Sequence, residues 1–337
     1  MSDTRQYRVR HETVYTYGGD VAHSHQLLHL TPRTAPYQIC HSHSITLQPT
    51  PSVRHDDIDA FGNPVTRLEY DRPHDRLEVM AHLHVEVRSP EQFPAEDSRA
   101  WEAVQRSLCY PDNPTTPERL EASRFRMESG YVRIKQTFTE YAADCFAPDR
   151  PVLAAALALM HQIHRDFTYA PGTTDIKTTG LEAFHARRGV CQDFAHVMIA
   201  CLRSRGLAAR YVSGYLRTTP LNAMSQSQTQ AAPQEQDNQG VQGTQNGQGT
   251  HDGQDAQNGQ DAQGAPLVGA DASHAWVSVY CPPIGWIDLD PTNDCSVGAD
   301  HVTIAWGRDF GDVSPLRGVI VGGGRHRLSV RVSVQPE

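Results

Sequence analysis

Hydrophobic and polar positions alternate along the first part of the chain. Residues 7–15, 44–48 and 83–87 show an alternation with a period of two, which is typical of strands that bury one face. Turn-forming residues separate these stretches, for example Gly-Gly-Asp at 18–20 and Gly-Asn-Pro at 62–64. The pattern therefore predicts an all-β, sandwich-like amino-terminal domain over residues 1–90.

The spacing changes after Pro90, where apolar residues begin to recur at helical intervals. This spacing predicts helices over 102–109, 131–146 and 151–165, with Asp149 near the N-cap of the last one and Pro151 in its first turn. A fourth helix is predicted from about residue 191 to 205, because Gly206 follows it as a stop signal. Residues 91–148 then form a helical connection to a second domain.

Strand patterns return in the second domain, over residues 209–216, 275–280 and 286–290, and once more in the tail at 326–334. Helices followed by strands indicate an α+β core over residues 149–300. We expect the strands within 301–337 to pack on this core.

One segment, residues 222–264, lacks any such pattern. It is rich in Gln, Gly, Asn, Asp and Ala and has traces of a short repeat at 253–264. Because it has almost nothing apolar to bury, ordering it would cost more conformational entropy than its contacts return. We expect a disordered insertion that a loop tolerates; a gating role at the neighbouring site is the alternative.

Composition narrows the class of protein. Hydrophobic residues are 38% of the 337, and the formal net charge is -9 at pH 7. This acidic balance disfavours nucleic acid or an anionic membrane as a partner. The sequence has no long apolar run, and its start lacks a signal-peptide core. We therefore expect the protein in the cytoplasm, without a membrane partner.

The seven cysteines are odd in number, and no two of them form a Cys-x-x-Cys pair. In a reducing compartment, the odd number indicates free thiols. The lack of a Cys-x-x-Cys pair excludes a zinc finger and a thioredoxin-type redox site. Cys191 follows Gly189 and Val190 and begins the predicted fourth helix, so backbone N–H groups should point at its sulfur. A helix N-terminus stabilises a thiolate. Cys191 is therefore a candidate nucleophile, and a buried structural cysteine is the alternative.

Two alternating segments supply candidate partners for this cysteine. Residues 274–280 and 285–290 are joined by a short loop and are predicted to form a hairpin. If Tyr280 pairs with Trp286, His274 becomes a diagonal neighbour of Asp290 on one face, while Asp288 lies one pair further away. Nucleophile, base and orienting acid are then Cys191, His274 and Asp290.

Three segments resemble the core motifs of the bacterial transglutaminase-like superfamily: Gly-Val-Cys-Gln-Asp-Phe-Ala at 189–195, Ser-His-Ala-Trp-Val at 273–277, and Gly-Trp-Ile-Asp-Leu-Asp-Pro-Thr-Asn at 285–293. Residues 7–88, with Leu-Thr-Pro-Arg at 30–33, are similar to the β domain that precedes that core in one bacterial branch. The resemblance implies a papain-like core and the roles given above to Cys191, His274 and Asp290. The insertion at 222–264 departs from the family pattern.

The resemblance also implies chemistry on amides through a thioester, with a peptide or protein as substrate. Water as acceptor gives a peptidase or amidase, which we favour; an amine acceptor gives glutamine–lysine cross-linking. A non-catalytic peptide-binding protein is the rival class. The oligomeric state is not predicted.

An oxyanion donor is also needed, since the tetrahedral intermediate carries charge on oxygen. The backbone N–H of Cys191 is one candidate. Tyr169 is a second candidate, although its interpretation as an aromatic residue of the core is at least as well supported. We predict neither a metal nor a cofactor: the strand pairs His41/His43 and His82/His84 share faces but have no carboxylate at ligand spacing.

Overall fold

The computed structural model describes residues 4–109, 116–174, 177–218 and 273–337. The segment 222–264, predicted to be disordered, lies outside these residues. In the described stretches, no helix combines the length and the apolar character needed to span a membrane.

The amino-terminal domain is strand-rich, as the alternation predicts. Its first five strands, in chain order, are β1 (Thr4–Leu28), β2 (Gln38–Gln48), β3 (Val53–Ile58), β4 (Pro64–Tyr70) and β5 (His74–Arg88). They form one curled sheet in the order β2-β5-β1-β4-β3. The long β1 pairs with β5 along its first half and with β4 along its last residues, with an irregularity between Thr16 and Val21 where Gly18 and Gly19 lie. This break bends the sheet.

Helices occupy the middle of the chain. They are α1 (Trp101–Cys109), α2 (Pro117–Ser123), α3 (Gln136–Tyr141), α4 (Val152–Asp166), α5 (Gly180–Ala186) and α6 (Cys191–Ser204), with 3₁₀ turns at Ala95–Asp97 and Ala143–Cys145. Gly206 ends α6 as predicted: it has φ 73°, and its N–H bonds to the Arg203 carbonyl.

Two helix boundaries differ from the predictions. Residues 131–135 are not helical, because the backbone N–H of Tyr131 donates to the Asp309 carboxylate and that of Ile134 donates to Glu128. The predicted helix 131–146 therefore shrinks to α3 and a 3₁₀ turn. Pro151 itself is the N-cap residue of α4, whereas Asp149 has φ 59° and lies outside the helix.

The second domain is built on a five-stranded sheet packed against α6. Its strands are β8 (Ala209–Leu216), β9 (His274–Cys281), β10 (Gly285–Asp290), β11 (Cys295–Ser296) and β12 (His301–Gly307), in the order β11-β10-β9-β8-β12. A short parallel pair, β6 (Thr168–Tyr169) and β7 (Arg188–Gly189), precedes α6. Nearly every side chain of α6 is buried, so this helix is the centre of the core.

The structure divides the predicted unit 301–337 between the two sheets. β12 does join the core sheet, and a one-turn helix α7 (Phe310–Val313) follows it. However, β13 (Leu316–Gly322) and β14 (His326–Pro336) pair with the free edge of β1. The reason is that β1 is long enough to bond strands on both edges. The tail therefore completes the amino-terminal sheet.

Candidate active site

Cys191 stands at the first position of α6, with Val190 as the N-cap residue. The first helical turn is fixed by Asp193, whose carboxylate accepts from the Val190 N–H at 2.8 Å and from the Thr174 hydroxyl at 2.7 Å. The N–H groups of Asp193 and Phe194 donate to the Val190 carbonyl. The N–H groups of Cys191 and Gln192 precede these bonds and so lie at the positive end of the helix.

A close approach explains the glycine before this turn. A Cβ placed on Gly189 would lie 2.3 Å from an oxygen of the Asp193 carboxylate. Only a residue without a side chain leaves room for the carboxylate that caps α6. The Gly-Val-Cys-Gln-Asp sequence thus presents Cys191 at the helix start.

The hairpin β9–β10 has the register that the sequence predicts. Tyr280 pairs with Trp286, and Ser278 pairs with Asp288. At the open end of this ladder, His274 Nε2 lies 2.8 Å from Asp290 Oδ2. The predicted register therefore gives the observed proximity of His274 and Asp290.

Asp290 is fully buried and accepts several hydrogen bonds. Its Oδ1 accepts from the backbone N–H of Thr292 at 2.9 Å and that of Asn293 at 3.2 Å. Its Oδ2, besides facing His274, accepts from the Asn293 side-chain amide at 2.7 Å and lies 3.3 Å from His301 Nε2. Because the Gly298 N–H donates to His301 Nδ1, the Nε2 of His301 carries the proton and donates to Asp290.

His274 and Asp290 each stabilise the charged form of the other. Burial lowers the pKa of His274, but the Asp290 carboxylate and then the Cys191 sulfur outweigh it and raise that pKa to about 10. Burial likewise raises the pKa of Asp290, and the same His274, followed by His301, brings it well below its usual range. The pair is therefore an imidazolium–carboxylate ion pair at neutral pH.

The second ring nitrogen of His274 faces the cysteine side of the site. The Nδ1 atom is buried and bonds no oxygen or nitrogen atom in the described part of the chain. Cys191 is among the groups that raise the pKa of His274, and both side chains line one cavity of about 250 Å³. Cys191 is 8% exposed, and its sulfur lies 4.0 Å from the Ser273 carbonyl oxygen. The structure thus brings Cys191, His274 and Asp290 together.

Tyr169, the other predicted site residue, is placed differently. It is half-buried on β6, where it pairs with Gly189, two residues before Cys191. It is not among the residues that line the cavity. Its role as an oxyanion donor stays a prediction.

Sequence reasoning missed two neighbours of Asp290. Asn293 follows the acid by three residues, a position at which an Asx side chain often bonds nearby groups, so a local signal existed. His301 lies on β12 and reaches Asp290 only through the fold. Together with Cys295, Asp290 and His301 form the one group in the described part of the chain with the spacing of metal ligands. Burial, reinforced by Asp290, raises the pKa of the Cys295 thiol to about 12, which disfavours thiolate ligation.

Two histidines on the outer face of the amino-terminal sheet lie close to carboxylates. His41 Nε2 lies 3.4 Å from Glu86, and His84 Nε2 lies 2.9 Å from Glu337. His82 and His43 lie beside them on a polar groove of the outer sheet face. These contacts fit a polar surface on which His41 and His84 each have a carboxylate neighbour.

Comparisons with known proteins agree with the architecture. Residues 7–86 match the bacterial transglutaminase-like N-terminal region, and residues 139–291 match the transglutaminase-like superfamily. An uncharacterised protein of Mycobacterium tuberculosis (strain ATCC 25618 / H37Rv) is 34% identical over 100% of this chain and 94% of its own length. An uncharacterised protein of Mycobacterium leprae (strain TN) is 30% identical over 97% of each.

A solved structure shares the fold. The crystal structure described as that of a putative cysteine protease from Cytophaga hutchinsonii has a TM-score of 0.66 at 16% identity, covering 99% of this chain and 91% of that one. At this identity the likeness concerns the fold alone. The matched regions, the relatives and the fold together show that the chain belongs to the transglutaminase-like superfamily, in the branch with a bacterial transglutaminase-like N-terminal region.

Proposed function

We propose that the protein is a cysteine-dependent enzyme that cleaves amide bonds of a peptide or protein through a thioester. Membership of the transglutaminase-like superfamily supports a cysteine enzyme in general. In this proposal Cys191 is the nucleophile, His274 the base and Asp290 the residue that orients the base.

One observation carries the proposal: a buried histidine has its Nε2 2.8 Å from a buried carboxylate and its other nitrogen on the side of a cysteine at a helix N-terminus. A structural histidine at this position would need a partner for Nδ1, because an unsatisfied buried polar atom is unfavourable. The Cys191 sulfur is the partner that the cavity offers. An imidazolium beside a sulfur favours the thiolate form, which is the nucleophile.

The steps of the reaction follow from these positions. The Cys191 thiolate attacks the carbonyl carbon of the amide, and the helix-start N–H groups stabilise the charge that forms on oxygen. His274 donates its Nδ1 proton to the leaving amine, which leaves a thioester on the sulfur. The neutral imidazole then takes a proton from water as that water attacks the thioester, which releases the carboxylic acid and restores the Cys191 thiolate beside the His274 imidazolium.

The acceptor distinguishes the two variants of this chemistry. Water gives a peptidase or amidase, and an amine gives a protein-glutamine γ-glutamyltransferase; both use the same three residues. We favour hydrolysis because a protein of the cytoplasm, where we expect this one, has little use for cross-linking. A peptide and amide-donor library, read by mass spectrometry with and without added amines, separates the two by the mass of the product.

The first test is the reactivity of the seven cysteines. Competitive alkylation with residue-level mass spectrometry should label Cys191 fastest at neutral pH. Cys191→Ser should abolish turnover, whereas Cys109→Ser, on the distant helix α1, should leave it unchanged. An inert Cys191 beside a rapidly labelled Cys40 or Cys109 would argue for a peptide-binding protein without catalysis.

A further inference from the structure

The inner face of β1 has an unusual break in its pattern. Tyr7, Val9 and Tyr17 face inward as a buried apolar series, and the intervening inward positions include two polar residues, His11 and Thr13. Both are buried, with exposures of 1% and 3%. Departures from the local pattern of this kind occur at functional sites.

The hydrogen-bonding atoms of His11 have partners in Thr13 and Tyr215, and none of these side chains is charged. His11 Nδ1 lies 2.8 Å from the Tyr215 hydroxyl, and His11 Nε2 lies 2.9 Å from the Thr13 hydroxyl. Burial lowers the pKa of His11 to about 4, so the ring is neutral at neutral pH. His11 and Thr13 therefore add hydrogen-bonding groups to the inner face of β1 without adding charge.

The neighbouring strand continues the same face. On β14, Val330 pairs with Thr13 and Leu328 pairs with Tyr15. These residues and His11 line the same 250 Å³ cavity as Cys191. The amino-terminal sheet thus forms one wall of the cavity over the cysteine.

The full lining of the cavity has no acidic side chain and no lysine or arginine in the described part of the chain. Its remaining members are Val190, Gln192, Tyr211, Ser213, Ser273, His274, Phe310, Ser314, Pro315 and Leu316, and of these only His274 carries a charge. An engineered apolar cavity of about 150 Å³ admits benzene, so a volume of 250 Å³ has room for an aromatic or branched side chain beside an amide.

We propose that the amino-terminal sheet, through Thr13, Tyr15, Leu328 and Val330, forms the specificity pocket of the enzyme, and that the pocket selects an acyl-donor residue with an uncharged apolar or aromatic side chain. This inference rests on the proposed amide chemistry at Cys191. Apart from the reacting pair Cys191 and His274, the wall offers no counter-charge, so a charged donor side chain would lose its hydration on entering it, which is strongly unfavourable. The amino-terminal domain is then part of the site and selects its substrate.

The test measures kcat/KM for peptide amides that differ only in the donor side chain. The wild type should favour Leu or Phe over Lys or Glu by about 100-fold. Val330→Asp should raise the ratio of Lys to Leu at least about tenfold, because it supplies a counter-charge. Ser329→Asp is the matched control: it adds the same charge one residue away, on the opposite face, where Ser329 pairs with Val14, and should leave the ratio unchanged.

Leu328→Lys gives an independent variant with the opposite sign, and it should raise the ratio of Glu to Leu. Circular dichroism identifies whichever variant keeps the fold, and either one suffices. Equal turnover of charged and uncharged donors by the wild type would overturn the proposal. So would a change in Ser329→Asp as large as that in Val330→Asp.

A second measurement separates the pocket from the amide chemistry. The rate of Cys191 alkylation is compared for a benzyl iodoacetamide and its carboxylate-bearing and ammonium-bearing analogues, each divided by its rate with glutathione. The neutral reagent should react fastest with the wild type, and Val330→Asp should favour the cationic one. Selectivity of labelling without any turnover would leave the pocket standing and refute the amide chemistry. Turnover without selectivity in either assay would refute the pocket alone.

Discussion

At the scale of single residues, the site depends on how firmly Asp290 is held. Two backbone N–H groups bond its Oδ1, and the side chains of Asn293, His274 and His301 surround its Oδ2. A carboxylate that accepts several hydrogen bonds stays ionised and keeps one orientation. Asp290 therefore fixes the orientation of His274, with Nε2–H toward the acid and Nδ1 toward the sulfur, and it fixes the tautomer of the neutral ring once the Nδ1 proton has left.

We expect Asp290→Asn to lower turnover by several orders of magnitude, because an amide would hold His274 in the wrong tautomer. The corresponding change in a serine protease lowers turnover about 10⁴-fold. Asp288→Asn is the matched control on the same strand, two residues earlier. Asp288 accepts from Trp276 Nε1 at 3.3 Å and stabilises the charge of the buried Arg210, so its loss should lower stability more than turnover. Equal losses of turnover in the two variants would contradict the assignment of the acid.

The ion pair also predicts a dependence of stability on pH. The folded pKa of His274, about 10, exceeds its ordinary value of 6.5. The stabilisation is therefore complete below about pH 6.5 and is lost as the pH rises through about 10. The depressed pKa of Asp290 reflects the same pairing, so on the acid side the stabilisation is lost only as the pH falls through the folded pKa of Asp290, well below the usual carboxyl range.

The measurement is the melting temperature of wild type and Asp290→Asn between about pH 6.5 and 9.5. Other groups titrate in this interval, so the difference between the two proteins is the quantity of interest. The stability advantage of the wild type should shrink as the pH rises, because Asp290 is the main group that raises the pKa of His274. An advantage that is constant over this interval would show that the ion pair does not form.

At the scale of secondary-structure elements, the start of α6 determines where the sulfur lies. The turn is closed by Asp193, and Gly189 leaves the space that this carboxylate needs. The cap and Cys191 therefore belong to the same five-residue motif. A disturbance of the cap should reach Cys191 directly.

We expect Gly189→Ala to lower both stability and the alkylation rate of Cys191. Its Cβ would approach the Asp193 carboxylate to 2.3 Å, and such overpacking typically costs about 1–3 kcal/mol. Gly19→Ala is the control, since a Cβ there meets nothing within 4 Å and φ is not positive. Melting temperature and alkylation kinetics are the readouts. Normal alkylation in a stable Gly189→Ala protein would show that the cap does not position the sulfur.

The elements also show what a sequence can and cannot reveal. The register of β9–β10 could be predicted because a short loop joins two alternating strands, so one pairing determines the others. The partner of β14 could not: its alternation is clear, but β1 lies some three hundred residues earlier, and periodicity contains no information about a distant partner. His301 was missed for the same reason, because only the core sheet brings β12 to Asp290.

At the scale of the whole molecule, both domains contribute to one hydrophobic cluster and to the cavity beside Cys191. The cluster extends from Val9 and Val332 in the amino-terminal sheet to Leu159 and Val197 in the core helices. The strands β13 and β14 cross back from the core to β1 and close the cavity wall. Both domains therefore contribute residues to this cavity, and the core motifs supply Cys191 and His274.

The last prediction concerns residues 222–264, which the sequence marks as unable to form a core of their own. The described chain ends at Thr218 before this segment and resumes at Ser273, and Gly214 pairs with His274 on the adjacent strands β8 and β9. The connection therefore joins two neighbouring strands. Lengthening a flexible loop costs only about 0.6 kcal/mol per doubling, so replacing 222–264 by a short Gly/Ser link should change stability little.

We expect the melting temperature of the shortened protein to stay within a few degrees of the wild type. The connection precedes Ser273, whose carbonyl lies 4.0 Å from the Cys191 sulfur, so activity on small amides and on protein substrates should be measured alongside. Retained activity on small amides with increased activity on proteins would identify the segment as a barrier to large substrates. A melting temperature lowered by much more than this would show that the segment contributes to the folded domain, and the interpretation of it as a disordered insertion would be wrong.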